Sequence, residues 1–239
     1  KLMREAGKRL AHVHQELEAM IAPGISTWEI DAKGEKLIRD CGCIPNFLHY
    51  NGYPASICVS VNDEVVHGIP RKDRYLKEGD IVSLDAGLIY KGYHSDAART
   101  HAVGKVSTEA QKLMDVTKQS FFEGIKMAKE GQHLHDISRA IEEYVTPYGY
   151  GIVRDLVGHG IGTALHEDPQ IPNYAQKRRG VRLQAGMTLA IEPMINAGTW
   201  QVRFLRDGWT VVTKDGSLSA HYENTILVTD GEPEILTLY

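Results

Sequence analysis

Four acidic residues and three histidines are the side chains here whose types and spacing could do chemistry. Asp85 closes the apolar run Ile81-Val82-Ser83-Leu84, and Asp96 follows a turn at Lys91-Gly92. A two-residue hairpin there pairs Tyr90 with Tyr93, which sets Asp96 opposite Gly87, on the face that also carries Asp85 and diagonal to it. Two carboxylates meeting on an apolar sheet repel unless a proton or a cation is shared between them. Glu192 ends Thr188-Leu189-Ala190-Ile191 and directly precedes Pro193. Proline holds the preceding residue extended, so this carboxylate projects from a strand end. Glu223 lies in the β-rich run from Ser219 to Val228. Singly, each glutamate reads equally well as a surface charge; together with the aspartates they put four carboxylates on strands.

The histidines stand in distinct settings. Gly158-His159-Gly160-Ile161-Gly162 is the densest glycine cluster in the chain, and His166 follows seven residues after His159. Glycines on both sides of a histidine let a backbone or a substrate approach closely. The cluster lacks the GxGxxG spacing and the GK[ST] ending of nucleotide-binding loops. His67, in Val65-Val66-His67-Gly68-Ile69-Pro70, reads on its own as a core histidine.

Elements of two kinds must position these groups. Leu2, Met3, Ala6, Leu10, Val13, Leu17, Met20 and Ile21 recur at helical spacing, and Pro23-Gly24 stops that helix. Ser26 and Glu29 form a capping box for a second helix ending near Gly42. Strands are expected over Ser56 to Val61, Ile81 to Tyr90 and Tyr93 to Val103. Ser107-Thr108-Glu109 opens a third helix, expected to run to Gly131, and a fourth runs to about Tyr148-Gly149. Strand-type sequence resumes over Met187 to Ile195, Trp209 to Thr213 and Ser219 to Val228. The order helix, helix, strands thus occurs twice. Gly24 and Gly131, Gly42 and Gly149, Gly79 and Gly186 all differ by 107, an offset that lays Asp85 on Glu192. The expectation is one catalytic domain, 1–239, with pseudo-repeat halves of about 1–105 and 106–239. A site between such halves suits a symmetric metal clamp.

Bulk properties narrow the class. The 239 residues are 42% hydrophobic and 24% charged, ordinary for a globular protein. A net charge of -4 argues against recognition of nucleic acid or an anionic membrane. No run is long and apolar enough to span a bilayer. The opening Lys1-Leu2-Met3-Arg4-Glu5 leads into no signal-peptide core, and, since it does not begin with Met, a few native residues are expected to precede it. Cys41, Cys43 and Cys58 make no disulfide framework and no metal knuckle, so a reducing cytoplasm is the expected location.

These residues, in this order, resemble the type I bacterial methionine aminopeptidases, whose pita-bread fold is an α+β arrangement of two pseudo-symmetric halves, each with two helices outside a curved antiparallel sheet. The likeness spans essentially the whole chain. It is carried by Tyr53-Pro54-Ala55-Ser56-Ile57-Cys58, by Val61-Asn62-Asp63-Glu64-Val65-Val66-His67-Gly68-Ile69-Pro70 and by the Asp85/Asp96 pair. It continues through Gly158-His159-Gly160-Ile161-Gly162 with His166, Ile191-Glu192-Pro193 and Tyr222-Glu223-Asn224-Thr225. The resemblance implies two divalent metal ions, with Asp85 on one, His159 and Glu192 on the other, and Asp96 and Glu223 bridging both. Hard oxygen donors with one imidazole suit Mn, Fe(II), Co or Zn. Glu192 would also take a proton from the attacking water, with His166 and His67 beside the scissile bond.

The resemblance further implies removal of an N-terminal methionine when the second residue is small. Tyr50, Tyr53, Cys58, Leu165 and Trp209, with His67 and His166, would hold the substrate, and aromatic walls suit a thioether. Phe47, Leu156 and Leu165 depart from the residues the family usually has, which bears on pocket shape. A monovalent cation near Asn62 and Ser219 occurs in some relatives. The implied partner is the N-terminus of a peptide or nascent protein, with the ribosome surface as its setting and the enzyme a monomer. The rivals are an Xaa-Pro aminopeptidase or dipeptidase, which usually carries an N-terminal domain for which this chain has no room, and a metal-free pita-bread binding protein. A type II methionine enzyme is disfavoured by the short stretch between Glu192 and Glu223.

Overall fold

The computed structural model describes residues 1–239. Four helices form: α1 (Leu2–Glu18), α2 (Thr27–Asp40), α3 (Thr108–Ile125) and α4 (Leu134–Val145). The Ser26 capping box closes as expected. The Ser26 hydroxyl accepts from Glu29 N at 3.2 Å, and Ser26 N donates to the Glu29 carboxylate at 2.8 Å. Ser107 caps α3 by accepting from Ala110 N at 3.1 Å. That helix ends at Ile125, short of the expected Gly131. Beyond it, Glu130 N donates to Thr229 O and Gly131 N to Leu183 O, both at 3.0 Å, and these long-range backbone bonds replace the helical ones.

The strands that position the site are β1 (Ile57–Val61), β2 (Ile81–Tyr90), β3 (Tyr93–Ala102), β4 (Gly158–Gly160), β5 (Glu167–Ile171), β6 (Thr188–Ile191), β7 (Met194–Asn196), β8 (Ser219–His221) and β9 (Glu223–Leu227). The main antiparallel sheet runs β2-β3-β9-β6-β4-β5, with β1 on the outer side of β2. The hairpin register is the expected one: Tyr90 faces Tyr93, and Gly87 faces Asp96. Asp85, however, does not end its strand, which continues for five residues to Tyr90. The expected strand from Met187 to Ile195 breaks at Glu192-Pro193, because proline has no N–H for the ladder. The run from Ser219 divides at Tyr222, and β8 leaves the main sheet to pair with β7. The short strand expected from Trp209 begins at Val211, since the amides of Trp209 and Thr210 both donate to Asp207 Oδ1.

Two separate cores lie between helices and sheet. Leu10, Val13 and Leu17 of α1 and Ile30 and Ile38 of α2 pack on Val59, Val82, Leu84 and Ala97. Phe121 of α3 and Ile137 and Ile141 of α4 pack on Leu189, Ile191 and Ile226. The glycines at the 107-residue offset share backbone geometry, with φ of 92° and 87° at Gly24 and Gly131, 71° and 72° at Gly42 and Gly149, and 90° and 97° at Gly79 and Gly186. The curved sheet with two helices outside each half is the expected fold. No helix is long and apolar enough to cross a membrane.

Candidate metal centre and active site

Each of the five expected ligands comes from a different element, and these elements are adjacent in the sheet. In sheet order they are Asp85 on β2, Asp96 on β3, Glu223 on β9, Glu192 just after β6, and His159 on β4. One ligand atom from each of Asp96, His159 and Glu223 falls within 4.8 Å of the others, and all three residues are buried. His159 Nε2 lies 3.8 Å from Asp96 Oδ2 and 3.6 Å from Glu192 Oε1. The Asp85 and Asp96 carboxyls lie close enough to act directly on one another. Asp96 and Glu223 are held across the seam of the two halves by Thr225, whose hydroxyl accepts from Asp96 N at 3.0 Å and donates to Asp96 O at 2.8 Å.

The electrostatics of this cluster call for protons or a cation to be shared among its carboxyls. Burial first, and then the charge of Asp96, push the Asp85, Glu192 and Glu223 carboxyls well above their ordinary range, and burial raises Asp96 as well. No lysine or arginine forms an ion pair with any of the four; their side-chain neighbours are the imidazoles of His159 and His221, and the buried Arg99 acts on Glu223 only from its backbone side. Asp85 Oδ1, Asp96 Oδ1 and Glu223 Oε1 are buried oxygens without a hydrogen-bond partner. Native interiors rarely leave such atoms unmatched unless an ion or water completes them. The orphaned oxygens and the neutral imidazole of His159, whose pKa burial lowers to about 4, make a donor set that fits a divalent cation.

The glycines around His159 have the role expected of them. A side chain on Gly158 would meet Ala190 O at 2.4 Å, and one on Gly160 would meet Asp168 O at 2.3 Å. Only glycine lets β4 sit tightly enough between β5 and β6 to aim His159 into the cluster.

A cavity of about 230 Å³ opens beside the carboxylates, and every expected site residue lines it. Phe47, Tyr50, Tyr53, Cys58, Leu165 and Trp209 form its apolar wall, with Tyr53 and Trp209 edge to face at 5.2 Å between centroids. Leu156 is not part of this wall; it packs with Val65, Val66 and Met194. Tyr53 anchors the wall by donating to Gly68 O at 2.9 Å, and burial raises its phenol pKa. Burial likewise raises the Cys58 thiol, which makes it a neutral wall residue and not a nucleophile. His67 takes a left-handed φ of 58°, uncommon outside glycine, and points into the same cavity. Burial lowers its pKa to about 4 and lowers that of His166 too. Tyr50 OH is 2.8 Å from His166 Nδ1, and the His166 ring is 4.4 Å from that of His159. Asn62 and Ser219 are neighbours, with Ser219 N donating to Asn62 O at 2.9 Å. The Asn62 side chain is committed elsewhere, to Asp80 and Ile81 N.

Three supporting residues escape a reading of the sequence. Arg99 is buried, donates to the backbone oxygen of Glu223 and to Asn224 Oδ1, and stacks 4.6 Å from the Tyr222 ring. Asn173 donates to Glu192 O at 3.1 Å. His221 is 1% exposed and sits behind Glu192 and Glu223. It also lines a second cavity, of about 320 Å³, on the helix side of the sheet. None stands in a pattern that sequence alone marks, although the His-x-Glu spacing of His221 and Glu223 is visible once β8 and β9 are known to part at Tyr222.

Comparison with known proteins gives the family and the fold. The model of metallopeptidase family M24 matches residues 1–230. The methionine aminopeptidase of Clostridium acetobutylicum is 54% identical over 236 residues, covering 99% of this chain and 94% of that protein. The crystal structure of methionine aminopeptidase from Thermotoga maritima superposes with a TM-score of 0.97 at 47% identity, covering 100% of this chain and 96% of that one. An Xaa-Pro dipeptidase from Bacillus anthracis is more distant, with a TM-score of 0.80 and 26% identity over 99% of this chain and 59% of that one. The resemblance carried by the motif order is borne out: the chain belongs to metallopeptidase family M24 and has the pita-bread fold of the bacterial methionine aminopeptidases.

Proposed function

We propose that this enzyme removes the N-terminal methionine from peptides and nascent proteins whose second residue is small, using two divalent metal ions. The observation that carries the reading is the juxtaposition of buried, orphaned carboxylate oxygens with an open cavity of about 230 Å³ that is apolar on the wall formed by Phe47, Tyr53, Leu165 and Trp209. In this reading Asp85 would hold one ion, His159 and Glu192 would hold the other, and Asp96 and Glu223 would serve both. Mn, Fe(II), Co and Zn all suit the donors. Such ions supply Lewis acidity, which acidifies water and polarises a carbonyl.

The remaining steps belong to the protein's own side chains. The thioether enters between Tyr53, Cys58, Leu165 and Trp209, while the substrate's α-amine lies toward Asp85, so that only the first residue is removed. Glu192 takes a proton from the attacking water. Tyr50 donates to His166 Nδ1, which leaves His166 Nε2–H free to stabilise the developing oxyanion, with His67 positioning the substrate amide. We further propose a monomer acting in the cytoplasm on chains at the ribosome surface, and a single domain whose halves, about 1–105 and 106–239, are a true repeat. A monovalent cation beside Asn62 and Ser219 is proposed only for the backbone carbonyls there.

Met-Ala-Ser offered with Mn or Co should lose its methionine, while Ala-Pro stays intact. Cleavage of Ala-Pro and not Met-Ala-Ser would replace this reading with an Xaa-Pro one. A folded protein inactive with every divalent metal would point instead to a binding module.

A further inference from the structure

We infer that His221 is a positioning residue that holds Glu192 and Glu223, its Nε2–H directed at the Oε2 oxygens of both carboxylates. The inference rests on the proposed metal assignment. His221 is the last residue of β8 and pairs with Met194, the first of β7, which follows Glu192-Pro193 directly. That pairing carries the imidazole to the back of Glu192, and two further residues along the chain reach Glu223. Its Nε2 lies 3.7 Å from Glu192 Oε2 and 4.0 Å from Glu223 Oε2. The facing oxygen of Glu192, Oε1, is the one 3.6 Å from His159 Nε2. One carboxylate is therefore gripped between two imidazoles, His159 on its ligand side and His221 on its outer side.

The backbone of His221 is clamped to fix that direction. Its N–H donates to Thr100 Oγ1 at 2.9 Å, and its carbonyl accepts from the same hydroxyl at 2.8 Å. The ring itself is buried, yet neither nitrogen has a hydrogen-bond partner. Buried ring nitrogens are nearly always matched, and the nearest groups of opposite character here are the two carboxylates. A shift of roughly half an ångström by the Glu192 carboxylate, or of roughly 0.8 Å by that of Glu223, brings Nε2 within ordinary N–H···O range. An outer hydrogen bond of this kind fixes the orientation and basicity of a ligating carboxylate.

The test compares His221→Gln, which keeps a donor, with His221→Met, of similar size and without one. Both are titrated with Mn(II) by calorimetry, and their Co(II) forms are followed by visible absorption. The Met variant should bind the ions about 10- to 100-fold more weakly and show an altered Co(II) spectrum, while the Gln variant stays near the parent in both. Equal affinities and spectra for parent and Met variant would overturn the inference. So would a Gln variant as impaired as the Met variant, because the imidazole would then act as a ligand or as packing. If the parent itself binds no second ion, the two-metal reading fails and not the role of His221. Circular dichroism of the metal-free proteins checks that both variants fold.

Discussion

Asp96 is the residue whose charge bears most heavily on the other carboxylates. After burial, its charge is the leading cause that raises Asp85, Glu192 and Glu223. Replacing it with Asn should therefore act with opposite signs on the two states of the protein. Without metal, at a pH where the carboxyls ionise, Asp96→Asn relieves repulsion and raises stability, by about 1.4 kcal/mol for each pKa unit removed. With metal, it takes away a bridging ligand and should lower affinity and turnover by about 100-fold or more. His166→Ala gives the contrast: its imidazole lies on the substrate side, bonded to Tyr50, so turnover should fall while both ions stay bound. Thermal melts and metal titrations of the two variants, with and without Mn(II), check the pair. An Asp96→Asn protein that is both less stable without metal and fully active would remove Asp96 from the bridge, and an emptied metal site in His166→Ala would make that histidine a ligand.

At the scale of elements, the site depends on how tightly β4 is wedged between its neighbours. Gly160→Ala places a methyl 2.3 Å from Asp168 O, a backbone atom that cannot rotate away. Strand β4 or β5 must move, at a cost of about 1–3 kcal/mol, and His159 moves with β4. The expected result is a lower melting temperature together with weaker metal binding. Loss of stability alone, with metal affinity intact, would show that β5 yields and β4 does not. The same region shows what the sequence makes legible. The β2–β3 register was readable to the residue, because a two-residue turn leaves one pairing open and alternation then fixes the faces. The Ser26 capping box and the helix start at Ser107 were readable because they are local. The end of α3, the start of the strand at Val211 and the parting of β8 from β9 were not, because each is decided by a partner far along the chain or by an aspartate turn. The ligand residues were legible as types, and their supporting groups, Arg99, Asn173 and His221, were not: what these residues do depends on strands that meet only in the fold.

At the scale of the whole molecule, two cores with their own helices meet at a seam that holds four carboxyls and no ion-paired guanidinium or ammonium group, Arg99 reaching only the backbone of Glu223. This makes stability and metal binding one coupled quantity. The four carboxyls have folded-state pKa values raised above those of the unfolded chain, whose carboxyls titrate near 4. Groups raised in this way contribute stability that is fully present below the unfolded value and is lost as pH rises through the folded values. The metal-free protein therefore surrenders that contribution from weakly acidic pH upward. A divalent ion needs the same groups ionised, so it competes with their protons and binds more tightly as pH rises. His159, already neutral above about 4, adds no competing proton in that range. The gain in melting temperature on adding excess Mn(II) should accordingly widen between about pH 5 and pH 8, following the logarithm of ligand concentration over dissociation constant. Calorimetric titration in buffers of different ionisation enthalpy should register proton release on binding, largest at the acidic end. A gain independent of pH, with no protons released, would mean that these carboxyls are already ionised in the metal-free protein and that some other cation balances the seam.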